Sequence, residues 1–558
     1  MAVEAPPTGK KSQRIAAAGA SPLWLQPLSV REIGLAWGAL LIVGILAFTP
    51  HILHGGFYLD DWSLAADTLY PHGAERSFGT ALSRFNEFLS SCRPVLIVFL
   101  PLKYFIFGTH TKFLLAFSVL LALIVAALLY AVLRVIGLPW YHAWLIAALA
   151  VVYPWFDSTR FWESASPISL ALIFALAGLW LALIGLSSGS WRLHVCAALL
   201  YLLSMLSYET TLPVIASAGL LYVARARWRT ARMRWGLDLV MVVFAGLWSL
   251  THTPRAVSSA SSNFAHLREI VAQGGALLGH TALPLGMQPH TLLVVGGLAA
   301  IMGAGLALYL SSRRSSSSDE PQWGLRQWLL LGLSGLLIAA LGWVSFVPAD
   351  PYYTPSIFGF TNRVNGVAGF GLILTIYSSL GIVGVLVGRL ARDARSIPVA
   401  VTLLLGVSLG AAYTHVLERH SRIWSAAYRS ELATVGAVKA RYPRLPHGTI
   451  VFVSGAPAYQ TLGVPVFATT WDLNGMIRLQ YEDGTLGAYP ITEELKATCQ
   501  AKGLRVDEQN EDIPVAPYGT VRLFNVQTGE DARPQTRHQC TRLLNSYPPG
   551  PLYLSTSY

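Results

Sequence analysis

Long apolar stretches separated by short polar ones dominate the chain. A helix needs roughly 20 mostly apolar residues to cross a hydrocarbon core about 30 Å thick. Windows of this kind lie at 33–53, 112–136, 140–155, 165–187, 191–207, 209–226, 235–250, 288–311, 326–346, 364–388 and 397–415. The pattern predicts about eleven transmembrane helices, which together form a membrane domain over 33–415.

The stretch 94–107 is also apolar, but it does not read as a further span. It is short, and it contains Pro101 and Lys103. Counting it as a span would reverse the orientation of every later loop. We therefore predict a juxtamembrane or re-entrant helix at this position.

The pattern changes at about residue 416, after which no apolar window of membrane-spanning length occurs. Apolar runs bounded by turn residues predict buried strands at 449–454 and 520–526. The composition of 493–503 predicts a helix. The region 416–558 is therefore expected to be a small soluble α/β domain.

Composition supports a polytopic α-helical membrane protein, because 53% of the residues are hydrophobic and only 12% are charged, with a mean hydropathy of +0.49. The formal charge of +11 does not indicate nucleic-acid binding. The Lys and Arg residues gather between the apolar runs, where basic residues set membrane orientation, and no nucleic-acid motif is present.

The distribution of these basic residues predicts the topology. They fall on one face: Lys10, Lys11, Arg14, Arg31, Arg134, Arg192, Arg225, Arg227, Arg229, Arg232, Arg234, Arg313, Arg314, Arg326, Arg389, Arg392 and Arg395. That face is expected to be cytoplasmic, with 1–32 as a cytoplasmic tail rather than a signal peptide. The opposite, extracytoplasmic face of the cell membrane then carries the loops at 54–111, 156–164, 251–287 and 347–363, and the C-terminal domain.

Two of the four cysteines, Cys499 and Cys540, lie in the C-terminal domain. On an oxidising face of the membrane they are expected to form a disulfide, and two unpaired thiols are the alternative. No cysteine or histidine spacing resembles a zinc site.

Charged residues close to a membrane core are costly, so they tend to mark function or ion pairing. Asp60 and Asp61 stand together directly after the first apolar run, in Gly-Gly-Phe-Tyr-Leu-Asp-Asp-Trp. The other polar exceptions assigned to the extracytoplasmic face are Arg93, Asp157, Arg160, Glu163, Glu209, Asn362 and Arg363. Each has an alternative interpretation as an interfacial anchor or half of a structural ion pair. Their convergence on one face favours a functional site.

Two carboxylates among arginines and aromatic rings suit the transfer of a sugar from a lipid-phosphate donor to a hydroxyl acceptor. A carboxylate can act as the general base for the hydroxyl. Arginines or a divalent metal can stabilise the departing phosphate. Aromatic residues that could contact a sugar are Tyr58, Trp62, Trp155, Phe161, Trp162 and Tyr208. Aromatic side chains are also common at membrane interfaces, which is the alternative interpretation.

These motifs carry a resemblance to a known family. A first span followed by Tyr58-Leu59-Asp60-Asp61-Trp62, then Arg93-Pro94, and later Ser207-Tyr208-Glu209 and Asn362-Arg363 in a multi-span body resembles the GT-C superfamily of polyprenyl-phosphate-sugar-dependent glycosyltransferases. The resemblance covers the general layout of the first 415 residues. Its specific element is the acidic pair in the first outer loop.

The resemblance implies an inverting hexosyl- or pentosyltransferase that uses a polyprenyl-phosphate sugar and a glycan, lipid or protein acceptor of the cell envelope. It implies that Asp60 or Asp61 is the catalytic base, and we favour Asp60, with Asp61 positioning the acceptor or a metal. No cofactor is certain, and Mg or Mn is one alternative. The expected substrate-binding residues are Tyr58, Trp62, Arg93, Arg160, Glu163, Tyr208, Glu209, Asn362 and Arg363. Arg363 is the first candidate for the donor phosphate, with Arg93 or Arg160 sharing that task.

Two further segments have candidate roles. Trp471-Asp472 is either a carbohydrate contact or a core tryptophan followed by an acidic residue. The segment 264–283 is expected to be an amphipathic interfacial helix that could gate the lipid.

Three other functions are alternatives to glycosyl transfer. A lipid-linked sugar flippase or transporter would be expected to show internal repeats and midplane polar groups. An O-antigen ligase-like enzyme would carry its chief outer loop late in the chain. A structural protein would tolerate Asp60→Asn and Asp61→Asn.

Overall fold

The computed structural model describes residues 29–89, 93–252, 260–284, 323–391, 396–508 and 513–555. The tail up to residue 28 and the span predicted at 288–311 lie outside the described residues. Every structural statement below concerns the described ranges.

The chain is helical up to residue 441. Its helices are α1 Val30–His54, α2 Asp60–Leu69, α3 Phe78–Leu89, α4 Pro94–Phe107, α5 Thr111–Val135, α6 Trp140–Val152, α7 Ser158–Phe161, α8 Pro167–Ser188, α9 Trp191–Ser207, α10 Leu212–Arg225, α11 Trp228–His252, α12 Ala260–Ala282, α13 Leu325–Val344, α14 Ala368–Leu390 and α15 Ile397–Arg441. Short 3-10 turns lie at Pro154–Phe156, Glu163–Ala165, Glu209–Thr211 and Phe360–Asn365.

Seven helices in the described part of the chain are long and apolar enough to cross a membrane. They are Val30–His54, Thr111–Val135, Glu163–Ser188, Trp228–His252, Leu325–Val344, Ala368–Gly388 and Ile397–Arg441. This confirms the prediction of a polytopic helical membrane protein, while the number of eleven spans stays a prediction. The helix α4 has 14 residues and rises about 21 Å, so it is too short to cross, as expected.

The spans expose apolar side chains that a water-soluble protein would bury. On α1, Leu35, Ile42 and Leu46 are 68%, 60% and 74% exposed, whereas Leu40 and Phe48 face the interior. One apolar face packs against neighbouring helices, and the other is left for lipid chains. The chain is therefore a multi-pass membrane protein.

The last span continues far beyond the predicted boundary. The helix α15 has 45 residues and ends at Arg441, not near residue 416. Trp424 and Glu431, in its second half, are buried against the rest of the protein. The composition changes at residue 416 because the helix leaves its apolar segment, and the helix itself does not end there.

The C-terminal domain contains β1 Ile450–Ser454, β2 Tyr459–Thr461, β3 Val464–Pro465, α16 Thr470–Tyr481, β4 Gly487–Ile491, β5 Lys496–Cys499, β6 Gly503–Asp507, β7 Ala516–Pro517, β8 Val521–Asn525, β9 Asp531–Ala532 and α17 Arg537–Leu544. The main sheet has the order β4-β1-β8-β9, and β1 is parallel to both neighbours. Both predicted strands are confirmed, as β1 and β8. A parallel pair buried on both faces explains why each appears as an uninterrupted apolar run.

The helix predicted at 493–503 is wrong. The segment instead forms β5, which pairs antiparallel with β6, with Lys496 opposite Asp507 and Cys499 opposite Leu504. Its Glu, Lys and Ala residues favour a helix locally, but strand pairing and a disulfide bond override that preference. The disulfide joins Cys499 of β5 to Cys540 of α17. The predicted pairing of these two cysteines is confirmed.

Candidate functional site

The acidic pair opens a helix after a strained turn. Leu59 has φ +46° and ψ −121°, in the left-handed half of the map that a branched side chain rarely adopts. Asp60 and Asp61 follow as the first two residues of α2. The helix dipole favours negative charge at this end. The two carboxylates nevertheless have different partners.

Asp60 is half-buried. Its Oδ1 accepts a hydrogen bond from Nε1 of Trp471 at 2.9 Å, across the boundary with the C-terminal domain. Burial raises the pKa of this carboxyl, and the charge of Arg363 and the indole hydrogen bond offset that rise only in part. Asp60 and Arg363 interact electrostatically, but no ion pair joins them in the described ranges.

Asp61 is fully buried, at 0% exposure. Its Oδ2 accepts from the backbone N–H of Tyr58 at 3.0 Å. Its Oδ1 accepts from the backbone N–H of Ser164 at 2.7 Å and from the Ser164 hydroxyl. Burial, together with the nearby charge of Glu163, raises the pKa of Asp61 well above its ordinary value. Both oxygens are thus committed to the protein.

Behind Asp61 lies a buried polar network. Lys103 forms an ion pair with Glu163, and both side chains are almost completely buried. The hydroxyl of Tyr104 donates to Oε2 of Glu163 at 2.9 Å. Two neighbouring carboxylates, Asp61 and Glu163, therefore lie beside one ammonium group, and the charge of Glu163 contributes to the raised pKa of Asp61. Glu163, expected to bind substrate, lies in this network and not beside the exposed side of Asp60.

Arg363 lies in the 3-10 turn Phe360–Asn365 among aromatic rings. Its guanidinium carbon is 4.8 Å from the ring centre of Trp162 and 5.4 Å from that of Tyr353. The hydroxyl of Tyr353 accepts from Nη2 at 3.4 Å, and Nε is buried with no hydrogen-bond partner among the described residues. Tyr352 is within electrostatic range of both Arg363 and Asp60. Ring faces hold the cation while leaving donor capacity for a ligand.

Arg93 and Glu209 form a second charged element of the site. Nη2 and Nε of Arg93 donate to the two carboxylate oxygens of Glu209 at 2.6 and 2.9 Å. The guanidinium lies 4.1 Å from the ring centre of Tyr208. Burial raises the pKa of Tyr208, and the charges of Arg93 and Arg363 both counteract the rise. Tyr208 is therefore in contact with Arg93 and within electrostatic range of Arg363.

Arg160 lies at the carbonyl end of α6. It is buried, its Nη1 and Nη2 donate to the carbonyls of Tyr153 and Ala150 at 3.1 and 2.8 Å, and its Nε has no hydrogen-bond partner among the described residues. The guanidinium also lies 4.1 Å from the ring centre of Phe156. Carbonyls at the end of α6 need donors, and Arg160 supplies them. Arg160 thus caps this helix, and its substrate role stays a prediction.

Asn362 also serves the protein interior. Its Nδ2 donates to Oδ1 of Asp157 at 2.6 Å, and its Oδ1 accepts from the N–H of Ser158 at 3.2 Å. The other oxygen of Asp157 contacts Nδ1 of His420 at 2.5 Å. This buried cluster links the turn of Arg363 to α15, and a substrate contact by Asn362 stays a prediction.

Tyr58 and Trp62 anchor the segment that follows α1 to α15. The hydroxyl of Tyr58 donates to the carbonyl of Trp424 at 2.9 Å, and Nε1 of Trp62 donates to Oε2 of Glu431 at 3.1 Å. Both aromatic side chains are buried. Both side chains thus have a structural role, and their contacts with a sugar stay a prediction.

Sequence reasoning missed several members of the site. Trp471 is half-buried and bonded to Asp60, which neither the carbohydrate-contact nor the core interpretation contained. Asp472 is buried as the capping partner of Thr469, and burial raises its pKa to about 8. Tyr352 and Tyr353 carried a usable signal, since two adjacent tyrosines lie in the same predicted loop as Arg363.

The donor set at Asp61 does not fit a divalent cation. Protein donors already occupy both of its oxygens, and Lys103 stands nearby in the ion pair with Glu163. Within the described ranges, no three His, Cys, Asp or Glu side chains group as metal ligands. The possible metal role of Asp61 therefore receives no geometric support.

Comparisons with known proteins give few matches. No family model matches the sequence, and no curated protein matches it. Among solved structures, ArnT from Cupriavidus metallidurans in the apo state matches with 15% identity and a TM-score of 0.30, covering 80% of this chain and 84% of that one. ArnT bound to undecaprenyl phosphate matches with 13% identity and a TM-score of 0.34, covering 82% and 85%. Superpositions this loose carry no conclusion about this chain.

Proposed function

We propose that this protein is a GT-C-type membrane glycosyltransferase that moves a sugar from a polyprenyl-phosphate donor to a hydroxyl of a cell-envelope glycan, lipid or protein. The reaction would take place on the extracytoplasmic face. One observation carries the proposal: Asp60 is a half-buried carboxylate within electrostatic range of the ring-held cation of Arg363, and no ion pair joins the two among the described residues. A carboxylate and a cation that remain unpaired are available as a base for the acceptor and a partner for the leaving phosphate.

In the proposed reaction, Asp60 takes the proton of the acceptor hydroxyl. The hydroxyl oxygen forms a bond to the anomeric carbon from the face opposite the lipid phosphate. The bond between that carbon and the phosphate oxygen breaks, and the phosphate leaves with the electron pair, which inverts the configuration. The raised pKa of Asp60 makes it a stronger base than an ordinary carboxylate.

Arg363 is the proposed partner of the leaving phosphate. Its Nε has no hydrogen-bond partner in the described part of the chain, and its cation rests on aromatic faces. A guanidinium stabilises phosphate oxygens through charge-assisted hydrogen bonds, and a water-poor site strengthens the effect. Arg93 is a weaker candidate, because Glu209 already holds it in a two-point pair.

The choice between the two aspartates follows from their partners. Asp61 has both oxygens bonded and no exposure, so an acceptor cannot reach it without breaking protein contacts. Asp60 is bonded at Oδ1, and no described residue donates to its Oδ2. We assign the base to Asp60, and to Asp61 the fixing of the first turn of α2.

The test uses the purified full chain in nanodiscs with a panel of polyprenyl-phosphate sugars and envelope acceptors, and measures release of polyprenyl phosphate. We expect turnover by the wild type and its loss in Asp60→Asn. The matched control is Asp507→Asn, an exposed aspartate of the C-terminal domain, which should retain activity. Absence of turnover with every donor, or wild-type rates in Asp60→Asn, would contradict the proposal. Movement of intact donor across the bilayer would favour the transporter.

A further inference from the structure

The C-terminal domain reaches the acidic pair through one helix, α16. Trp471 is the second residue of that helix, and its indole N–H supplies the 2.9 Å hydrogen bond to Oδ1 of Asp60. It is the only hydrogen bond to the Asp60 carboxylate from any described residue. The orientation of this carboxylate therefore depends on a residue outside the membrane domain.

The docking of α16 on α2 is close and extends over several turns. A Cβ added at Gly475 would lie 2.4 Å from the carbonyl carbon of Trp62 and 2.5 Å from the nitrogen of Ser63. The two helices are thus in backbone contact, at a distance that only glycine allows.

A polar clamp lies one turn further along the same contact. Arg478 donates from Nη1 to Oδ1 of Asp67 at 2.8 Å and from Nη2 to the carbonyl of Tyr70 at 2.7 Å. Trp471, Gly475 and Arg478 are spaced four and three residues apart, so they share one face of α16. The glycine contact and the clamp fix the register that brings the indole to Asp60.

We infer that Trp471 is a positioning residue for Asp60, and that the site is complete only when the C-terminal domain is docked through α16. The inference rests on the proposed function in taking Asp60 as the base. The indole holds Oδ1, which orients Oδ2 toward the acceptor. Without the indole, the carboxylate can rotate, and it loses its one hydrogen-bond donor.

The positioning role of Trp471 can be detected through the titration of Asp60, which also depends on the charged groups around that carboxylate. The other charged or titratable groups near it are Arg363 and Tyr352 on the loop side, Asp61, Glu163 and Lys103 on the buried side, and Asp67 with Arg478 further along the helices. An N–H donor to a carboxylate stabilises its ionised form. Removal of the indole N–H should therefore shift titration of Asp60 to higher pH.

The experiment labels the full-length protein in nanodiscs with a carbodiimide, which reacts with protonated carboxyls. Peptide mass spectrometry follows the modification of Asp60 as a function of pH. In Trp471→Phe, which keeps a ring and removes the N–H, we expect the midpoint for Asp60 to move to higher pH. Labelling of the exposed Asp507 should follow one curve in both proteins. An unchanged Asp60 midpoint in the folded variant would overturn the inference.

Two glycine substitutions test the docking separately. In Gly475→Ala the added methyl group must push α16 away from α2, so the midpoint for Asp60 should move in the same direction as in Trp471→Phe. In Gly436→Ala the methyl group enters open space on α15, and the midpoint should match the wild type. Equal midpoints in the two glycine variants, with both proteins folded, would contradict the docking argument.

Activity gives a second readout. If Trp471 orients the base, Trp471→Phe should lower kcat about tenfold with little change in KM for the donor, since the hydrogen bond that orients the catalytic carboxylate through its other oxygen is lost. The labelling needs no substrate. A failure of the positioning role therefore appears as an unchanged midpoint, whereas a failure of the proposed function appears as absent release of polyprenyl phosphate.

Discussion

Asp60 and Asp61 are neighbours in sequence and opposites in environment. Asp60 is half-buried, has one donor and faces Arg363. Asp61 is fully buried, has three donors and lies beside Glu163. Both oxygens of Asp61 accept hydrogen bonds from the protein, whereas one oxygen of Asp60 has no donor among the described residues. On the proposed function, Asp60 is the chemical member of the pair and Asp61 the structural one.

The largest expected effect is on the rate. Asp60→Asn removes the base, and we expect kcat to fall about a thousandfold, since general-base catalysis contributes roughly 10²–10⁴. Thermal stability should not fall, because burial already disfavours the charged form of Asp60. Release of polyprenyl phosphate and a melting curve measure the two properties. A large loss of stability would show that Asp60 is structural as well, and would contradict its contrast with Asp61.

The next effect is on stability and concerns the structural member. Lys103→Met leaves Asp61 and Glu163 buried without their shared cation, which should destabilise the protein by about 3–5 kcal/mol. Adding Glu163→Gln to that variant should recover part of the loss, because one buried charge is removed. Chemical denaturation in detergent ranks the free energies of unfolding of the wild type and the two variants. Equal stability of Lys103→Met and wild type would contradict the role of Lys103 as the cation shared by Asp61 and Glu163.

A smaller effect is on the pH dependence of activity. Asp60 must be ionised to act as a base, and its pKa lies above the ordinary value, so activity should fall as the pH drops through that raised pKa. Arg363→Gln removes a charge that lowers the pKa. The acidic limb of the pH–rate profile should therefore move to higher pH, in addition to a loss of rate. An unmoved limb would show that Arg363 does not act on Asp60.

The smallest effect is on the pH dependence of stability. The folded-state pKa of Asp61 is well above its unfolded value, so the folded protein binds more protons than the unfolded one between the two values. Stability should therefore fall as the pH rises from the ordinary aspartate range, by at most about 1.4 kcal/mol per pH unit. Asp61→Asn should flatten this slope. Melting temperatures recorded against pH provide the check.

Local signals predicted much of the fold, and contacts distant in sequence explain the rest. The spans follow from apolar windows, and β1 and β8 from uninterrupted apolar runs. The strand β5 was missed because its residues favour a helix, while its pairing with β6 and the Cys499–Cys540 bond decide its conformation. The end of α15 was missed because its second half is polar in sequence and is stabilised as a helix by burial against other elements.

The site was predictable to the extent that its members stand out as charges near a membrane. Asp60, Asp61 and Arg363 carry that signal, but so does Arg160, because a charge that caps buried carbonyls looks the same in sequence as one that binds a ligand. Trp471 could not be found in this way. It lies 411 positions from Asp60, and only the docking of α16 on α2 brings the two together.

The length of α15 ties the site to the thickness of the bilayer. Its 45 residues rise about 68 Å, roughly twice the hydrocarbon core, so one rigid rod runs from the lipid phase to the base of the C-terminal domain. The same rod holds Tyr58 and Trp62, which flank the acidic pair. If the protein has the proposed activity, a change in membrane thickness that tilts this helix is expected to displace both halves of the candidate site together, and the rate should then depend on lipid chain length.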